Sequence, residues 1–133
     1  MSTFADVAGA IRTRFALLGI ATVHDNAPEP AKAATWCRLR VDFTGTEQRS
    51  TGNEGARQWR AFGVVTAELY CPSERGDGGL LTTAGEIADE FRGLRLTSPH
   101  VRFFPASPVG TSQLVGAWYR RDLRFLFEHD FIG

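Results

Sequence analysis

The residues best placed for chemistry lie in one glycine-rich run that follows a strand-like segment. An alternating apolar pattern ends at Cys71, and the glycines of residues 76–79 then lead into an amphipathic helix pattern. Free N–H groups at the N-terminus of a helix attract anions, and Arg75 would add a positive charge beside them. The sequence therefore leaves open a small anion- or nucleotide-binding enzyme that uses the glycine-rich loop 75–79.

The same run lacks the residues that phosphate chemistry requires. A Walker-type phosphate loop needs Lys followed by Ser or Thr at the start of the helix, but Leu80 and Leu81 stand there. The dinucleotide-binding pattern G-x-G-x-x-G also fails, because Leu81 occupies its last glycine position. A plain connection between a strand and a packing helix is therefore favoured.

Other signatures of catalysis are missing from the sequence. His24, His100 and His129 are widely spread and show none of the usual metal-ligand spacings. No G-x-S-x-G motif marks a nucleophilic serine. Cys37 and Cys71 fall in apolar strand patterns and are expected to be reduced, buried thiols rather than a disulfide. We therefore expect a protein that is not an enzyme and has no catalytic, cofactor-binding or metal-binding residues.

Length and charge narrow the class of protein. A chain of 133 residues is the usual size of one domain, and we expect a single domain over residues 1–133. The 15 basic and 15 acidic residues balance, so no overall field draws the chain to nucleic acid or to an anionic membrane. No apolar stretch reaches the roughly 20 residues that span a bilayer.

The secondary structure follows from the period of the apolar residues. Helical spacing predicts a first helix over Phe4–Leu18, capped by Ser2 or Thr3, and a second over about Leu80–Arg92. This order of elements predicts an α+β fold: a two-layer sandwich with a mainly antiparallel or mixed sheet of about five strands and two helices on one face. The predicted strands are Ala21–Asp25, Trp36–Phe43, Trp59–Cys71, Val101–Phe104 and Leu114–His129.

Two polar segments between the strands are predicted to be long loops, over Thr44–Gln58 and Ala106–Gln113. Loops of more than a dozen residues are usually functional or disordered. The first loop is charged, and two interpretations stay open for it. It is either a mobile hairpin tip or an arm that becomes ordered against a neighbouring subunit.

Tryptophan and arginine residues near the strand ends are the candidate contact residues, because both types are enriched in protein interfaces. Alternation places Arg120 and Arg124 on one face and Arg121 on the other. A polar strand face or an interface rim is therefore favoured over a nucleic-acid site. The candidate subunit or tube interface comprises Trp36, Arg38, Arg49, Arg57, Trp59, Trp118, Arg120 and Arg124.

A series of short motifs over nearly the whole chain carries a family resemblance. Five short motifs follow the predicted N-terminal helix along the chain: Asp25–Pro28, Trp36–Val41, Gly63–Tyr70, Ala84–Asp89 and Gly116–Arg120. In that order and spacing the chain resembles the tail terminator (minor tail protein U-like) proteins of long-tailed phages and gene transfer agents.

The resemblance implies a structural virion protein. Such a subunit would form a ring, typically a homohexamer, that caps the tail tube, ends tail polymerisation and forms part of the head-tail joining interface. Its partners would be further copies of itself, the tail tube protein and a head-completion or stopper protein, with a weak DNA contact in the ring lumen. Its location would be the tail-neck region of a virion or phage-like particle, and the bacterial cytoplasm during assembly. Another head-tail connector or neck protein remains the alternative, and we expect the two predicted loops to make ring or tube contacts.

Overall fold

The structure is a computed structural model that describes residues 3–24, 35–51, 55–72, 78–97 and 99–132. These residues form two helices and seven strands, which all belong to one sheet. In chain order the elements are α1 (Phe4–Ala16), β1 (Ala21–His24), β2 (Trp36–Gln48), β3 (Gln58–Pro72), α2 (Gly78–Phe91), β4 (Arg95–Thr97), β5 (His100–Phe103), β6 (Ser107–Val115) and β7 (Trp118–Ile132).

The sheet is built around its two longest strands, β3 and β7. The strand order is β1-β2-β3-β7-β5-β4, and β6 pairs with β7 along the same side as β5. Only the β1–β2 pair is parallel, so the prediction of a mainly antiparallel, mixed sheet is confirmed. The predicted number of about five strands is wrong, because the described residues form seven.

Helix α1 begins at a capping box, as the sequence predicts for Thr3. The Thr3 hydroxyl accepts a hydrogen bond from the Asp6 N–H (3.1 Å), and the Asp6 carboxylate accepts one from the Thr3 N–H (2.9 Å). The Thr3 bonds, first that of its backbone N–H, lower the pKa of Asp6 below its usual range. The helix buries Val7, Ile11 and Phe15, which lie at helical spacing on one side.

We expect Thr3→Ala to lower the free energy of unfolding by about 1 kcal/mol, the usual cost of losing an N-cap side chain. Thermal unfolding at neutral pH measures the change. Thr13→Ala is the matched control, because the Thr13 hydroxyl only bonds back to the Gly9 carbonyl (2.9 Å) within the helix. An equal loss in both variants would contradict the capping role.

The cap also has a predicted pH dependence. Folding depresses the pKa of Asp6, so its stabilising effect is complete above the usual aspartate pKa of about 4 and is lost as the pH falls through the lowered folded value. Asp6→Asn should therefore flatten that part of the stability curve, as followed by helical circular dichroism during acid titration.

Both helices pack on the same face of the sheet. Along α2 the buried residues are Leu80, Ala84, Ile87 and Phe91. The helices also meet each other, since the rings of Phe15 and Phe91 stack at 6.4 Å and Arg14 pairs with Glu90 at 2.8 Å. The predicted two-layer arrangement is therefore confirmed. The strand residues of this core are Cys37, Leu39, Val65, Ala67, Leu69, Cys71, Val101, Phe103, Leu123, Phe125 and Phe127.

One glycine is required by the packing of that core. Gly63 lies between Phe43 of β2 and Phe127 of β7 in the register of the sheet. The ring of Phe127 lies over the backbone of Gly63 and makes an edge contact with Phe43 (ring centroids 5.5 Å apart). A Cβ at residue 63 would overlap that ring and would come within 2.6 Å of the Asp42 carbonyl oxygen.

The first predicted loop, Thr44–Gln58, is corrected to an extended hairpin. Strand β2 continues to Gln48, and β3 begins at Gln58. A register shift between Phe43 and Gly45 lets the strand pass the glycine, and pairing with β3 then resumes. Both faces of this arm are largely exposed, so it has no apolar alternation by which the sequence could reveal it. Residues 52–54 lie outside the described residues.

The second predicted loop, Ala106–Gln113, is also largely a strand. Strand β6 pairs with β7 on both sides of a register shift between Val109 and Gln113. A tight turn at Gly116, which has φ 61°, joins the two strands, so the last strand begins at Trp118 rather than at Leu114. Pro108 and Gly110 indicate a loop in the sequence, but both are tolerated at the edge of a sheet.

Several residues singled out in the sequence are not among those that the structure describes. The candidate cap Ser2, the motif Asp25–Pro28 and Arg75 of the glycine-rich loop lie outside the described residues. Neither described helix is long and apolar enough to cross a membrane.

Candidate assembly surface

The sheet face opposite the helices, here called the open face, carries rows of facing polar and aromatic side chains. The register aligns Arg38 of β2 with Glu68 of β3 and Asp122 of β7. The rows on either side are Trp36–Tyr70–Arg120 and Arg40–Thr66–Arg124. Because side chains alternate along a strand, every second residue of three long strands contributes to this surface.

Glu68 is the buried centre of this charged group, with only 4% of its surface exposed. Its carboxylate lies 3.3 Å from Arg40 Nη1 and 3.6 Å from Arg120 Nη2, and it accepts a hydrogen bond from the Tyr70 hydroxyl at 3.2 Å. A buried carboxylate needs such partners, since an unpaired charge in the interior is strongly destabilising.

The neighbours of Glu68 are held by further bonds. Arg120 donates two hydrogen bonds to Asp122, from Nε to Oδ1 (2.9 Å) and from Nη2 to Oδ2 (3.0 Å). This bidentate contact is the main reason that the pKa of Arg120 is raised. Burial, with the nearby Glu68 carboxylate, raises the pKa of Tyr70. The group is therefore a fixed, charged element of the sheet rather than a set of freely moving surface side chains.

An aromatic cluster adjoins the charged group at the start of β2. The rings of Trp36 and Tyr70 stack with their centroids 4.3 Å apart, and Trp118 meets Trp36 edge-on at 5.8 Å. The guanidinium of Arg38 lies 5.9 Å from the centroid of the Trp36 ring. Trp36 is only 1% exposed, so it presents almost no surface of its own in the isolated subunit.

A cleft of about 850 Å³ lies at the other end of the sheet, where β3, β4, β5 and β7 come together. Arg60 donates to both carboxylate oxygens of Asp130 (2.7 and 3.1 Å), and that hydrogen bonding is the main reason that the pKa of Asp130 is lowered. Glu128 lies 3.2 Å from Arg102 and 3.5 Å from Arg60. Arg95 faces Arg102 directly across the β4–β5 pair and makes no ion pair within the described residues.

The eight predicted contact residues divide between these two regions. Five lie at the aromatic and charged end of the open face: Trp36, Arg38, Trp118, Arg120 and Arg124. The other three, Arg49, Arg57 and Trp59, lie at the far end near the tip of the β2–β3 hairpin. Arg49 and Trp59 line the cleft, and Arg49 pairs with Glu47 at 2.6 Å. The interface role of all eight stays a prediction.

Sequence analysis missed the residues that organise both regions. No local sequence pattern singles out Glu68, although its position opposite Arg38 and Asp122 can be inferred once the strands are paired in register. Arg95 lies in a three-residue strand, which is too short to show any alternation.

Candidate metal ligands are not grouped in the described part of the chain. There, no group of three or more His, Cys, Asp and Glu side chains is arranged to bind a metal. His129 Nδ1 lies 2.8 Å from the His100 carbonyl oxygen, within the strand pairing. Cys37 and Cys71 are buried free thiols, as predicted, and burial raises the pKa of Cys37 well above its usual range.

Solved structures share this arrangement of helices and strands. No family model and no curated protein matches the chain. One solved protein, whose name states no function, is 17% identical, with 94% of each chain covered and a TM-score of 0.72. Another is a chain from the virion of a native gene transfer agent particle, also 17% identical, with 89% of this chain and 84% of that chain covered and a TM-score of 0.51. At these identities the likeness shows a common fold.

Proposed function

We propose that this chain is a structural protein of a phage-like particle, and that it forms a ring that caps the tail tube and contributes to the head-tail joint. The observation that carries the proposal is the fold shared with a chain of a gene transfer agent virion over most of both chains. The order of motifs that resembles tail terminators agrees with it. The role is structural and requires no catalytic residue.

The surface of the subunit supports an assembly role. The open face exposes Arg124 and Leu126 in adjacent rows. Leu126 is 55% exposed because no element of the described residues covers it. The β6–β7 hairpin exposes Leu114 and Val115 as well. Exposed apolar residues beside arginines are typical of protein contact surfaces.

Electron microscopy of the purified protein with assembled tail tubes tests the proposal. We expect the protein by itself to form rings, and in the mixture we expect one ring at a single end of each tube. Tube length should stop increasing when the protein is added during polymerisation. Rings that bind only the head-completion protein would point instead to another neck protein. A monomer that leaves both tube ends bare and tube growth unchanged would contradict the proposal.

A further inference from the structure

Within the described residues, two strand edges on opposite sides of the sheet have no strand partner. Strand β1 covers β2 only over Trp36–Leu39, which leaves the outer edge of residues 40–48 without a strand partner in the described residues. At the other side, β5 is the one partner of β4 among the described strands. Open edges present unsatisfied N–H and C=O groups that can accept a strand from another chain.

These two edges lie at the same level of the sheet and run in the same direction. Following the register across the strands, Gly45 aligns with Phe62, Glu128, Arg102 and finally Arg95. In the next row of the open face, Glu47 aligns with Arg60, Asp130, His100 and finally Thr97. Four antiparallel pairings separate β2 from β4, so the two strands are parallel. Copies related by rotation about an axis along the strands could therefore join edge to edge without a shift in level.

The charges on the two edges are complementary. Asp42 and Glu47 are exposed on the open face of the free part of β2, in the rows on either side of Gly45. Arg95 is exposed on β4 in the row of Gly45. The acidic edge of one copy would thus set two carboxylates around the arginine of the next.

Within the described residues, no ion pair compensates the charge of Arg95. Its cross-strand partner is Arg102, and like charges directly opposite each other are destabilising. Glu128 is already shared by Arg102 and Arg60, whereas the one ion pair of Glu47 among the described residues is an exposed contact with Arg49. Exposed pairs of this kind contribute little, so Glu47 can exchange partners at small cost.

We propose that the ring closes by strand pairing between copies, with β4 of one subunit beside residues 40–48 of the next and Arg95 between Asp42 and Glu47 of the neighbouring subunit. The inference rests on the proposed ring function. Such a contact is heterologous, because each copy uses two different edges, and contacts of this type generate a ring when the rotation between copies closes. The outer edge of β6 suits the role less well, since Pro108 and the register shift interrupt it.

Charge reversal tests the pairing. We expect Arg95→Glu to weaken ring formation at least tenfold, as measured by light scattering over a range of protein concentrations. Asp42→Arg with Glu47→Arg should do the same, and the combination of all three changes should restore rings. Arg12→Glu, an exposed charge reversal on α1, is the matched control and should leave rings intact. Each variant should keep the wild-type melting temperature within a few degrees.

A cross-link provides a second readout that leaves the three charged residues in place. No atom beyond its chain neighbours lies within 4 Å of the Cβ position of Gly45, and Thr97 is exposed in the neighbouring row. Diagonal neighbours on adjacent strands lie about 7–8 Å apart, beyond the reach of a disulfide, so the test uses a short thiol-specific cross-linker. With this reagent, Gly45→Cys with Thr97→Cys should give a ladder of covalent oligomers, whereas Gly45→Cys with Arg12→Cys should not. The native Cys37 and Cys71 are buried and should not contribute.

The outcomes separate this inference from the proposed function. Suppose that the wild-type protein forms rings. If the Arg95→Glu variant also forms them, or if the Gly45→Cys, Thr97→Cys variant gives no cross-link, the edge pairing is overturned and the ring function stands. A wild-type protein that forms no ring, alone or on tail tubes, would overturn both.

Discussion

Gly63→Ala is expected to lower the free energy of unfolding by about 3 kcal/mol, at the upper end of the usual cost of overpacking a core. The added methyl group would overlap the ring of Phe127, and the Asp42 carbonyl oxygen, 2.6 Å from the new Cβ, belongs to the backbone and cannot move aside cheaply. For a domain of this size the melting temperature should fall by roughly 10 °C. Thermal and urea unfolding would measure the change.

Gly45→Ala is the matched control, because Gly45 lies in the same hairpin and has nothing within 4 Å of its Cβ position. It should change stability by less than about 0.5 kcal/mol. Phe127→Leu should partly relieve the overlap, so the double variant Gly63→Ala with Phe127→Leu should be more stable than the sum of the single effects predicts. A Gly63→Ala protein as stable as wild type would show that the β3–β7 packing is looser than described.

Arg120→Met is the second change expected to have a large effect, of about 2 kcal/mol. Among the described residues, it removes one of the two arginines that form ion pairs with the buried Glu68 carboxylate, and the only arginine paired with Asp122. Breaking a buried ion pair usually costs about 3–5 kcal/mol, but Arg40 remains beside Glu68 and Arg120 is partly exposed, so we expect a smaller loss.

A double-mutant cycle identifies the cause of that loss. If the unpaired Glu68 charge is responsible, Glu68→Gln should recover part of the stability in the Arg120→Met background, although it is destabilising alone. Arg124→Met is the control on the same face, since Arg124 is exposed and makes no ion pair within the described residues. Strictly additive effects of the Glu68 and Arg120 changes would argue against their coupling.

Sequence patterns predicted the parts of this fold in which one side of an element is buried. The alternation over Trp36–Phe43 and Trp59–Cys71 reflects strands with the apolar, helix-covered core on one face and mainly polar side chains on the other. The 3.6-residue period located both helices, and Thr3 with Asp6 marked the start of α1. In each case burial on one side imposes the period that the sequence shows.

The predictions failed where neither side of a strand is buried. Residues 44–48 are exposed on both faces and are extended because they pair with β3, a constraint that comes from a distant part of the chain. Strand β6 likewise depends on β7 for its extended form and contains Pro108 and Gly110, which locally favour turns. Tertiary pairing overrides local preference in both segments.

For the candidate surface, residue types could be predicted but their grouping could not. Arginines and tryptophans near strand ends were recognisable, yet only the register brings Trp36, Tyr70 and Trp118 into one cluster. The burial of Glu68 results from pairing three long strands, and no local pattern distinguishes it from an ordinary exposed glutamate.

The position of β7 has a consequence for the time at which this protein can fold. This strand is the last of the chain order, yet it pairs with β3, β5 and β6. While a ribosome is still making residues 118–132, β5 and β6 have no central strand to join, and one edge of β3 remains unpaired. Pairing of strands far apart in sequence is also slow. A growing chain should therefore complete its sheet in a late step, and nascent subunits should be unable to assemble before residues 118–132 have left the ribosome.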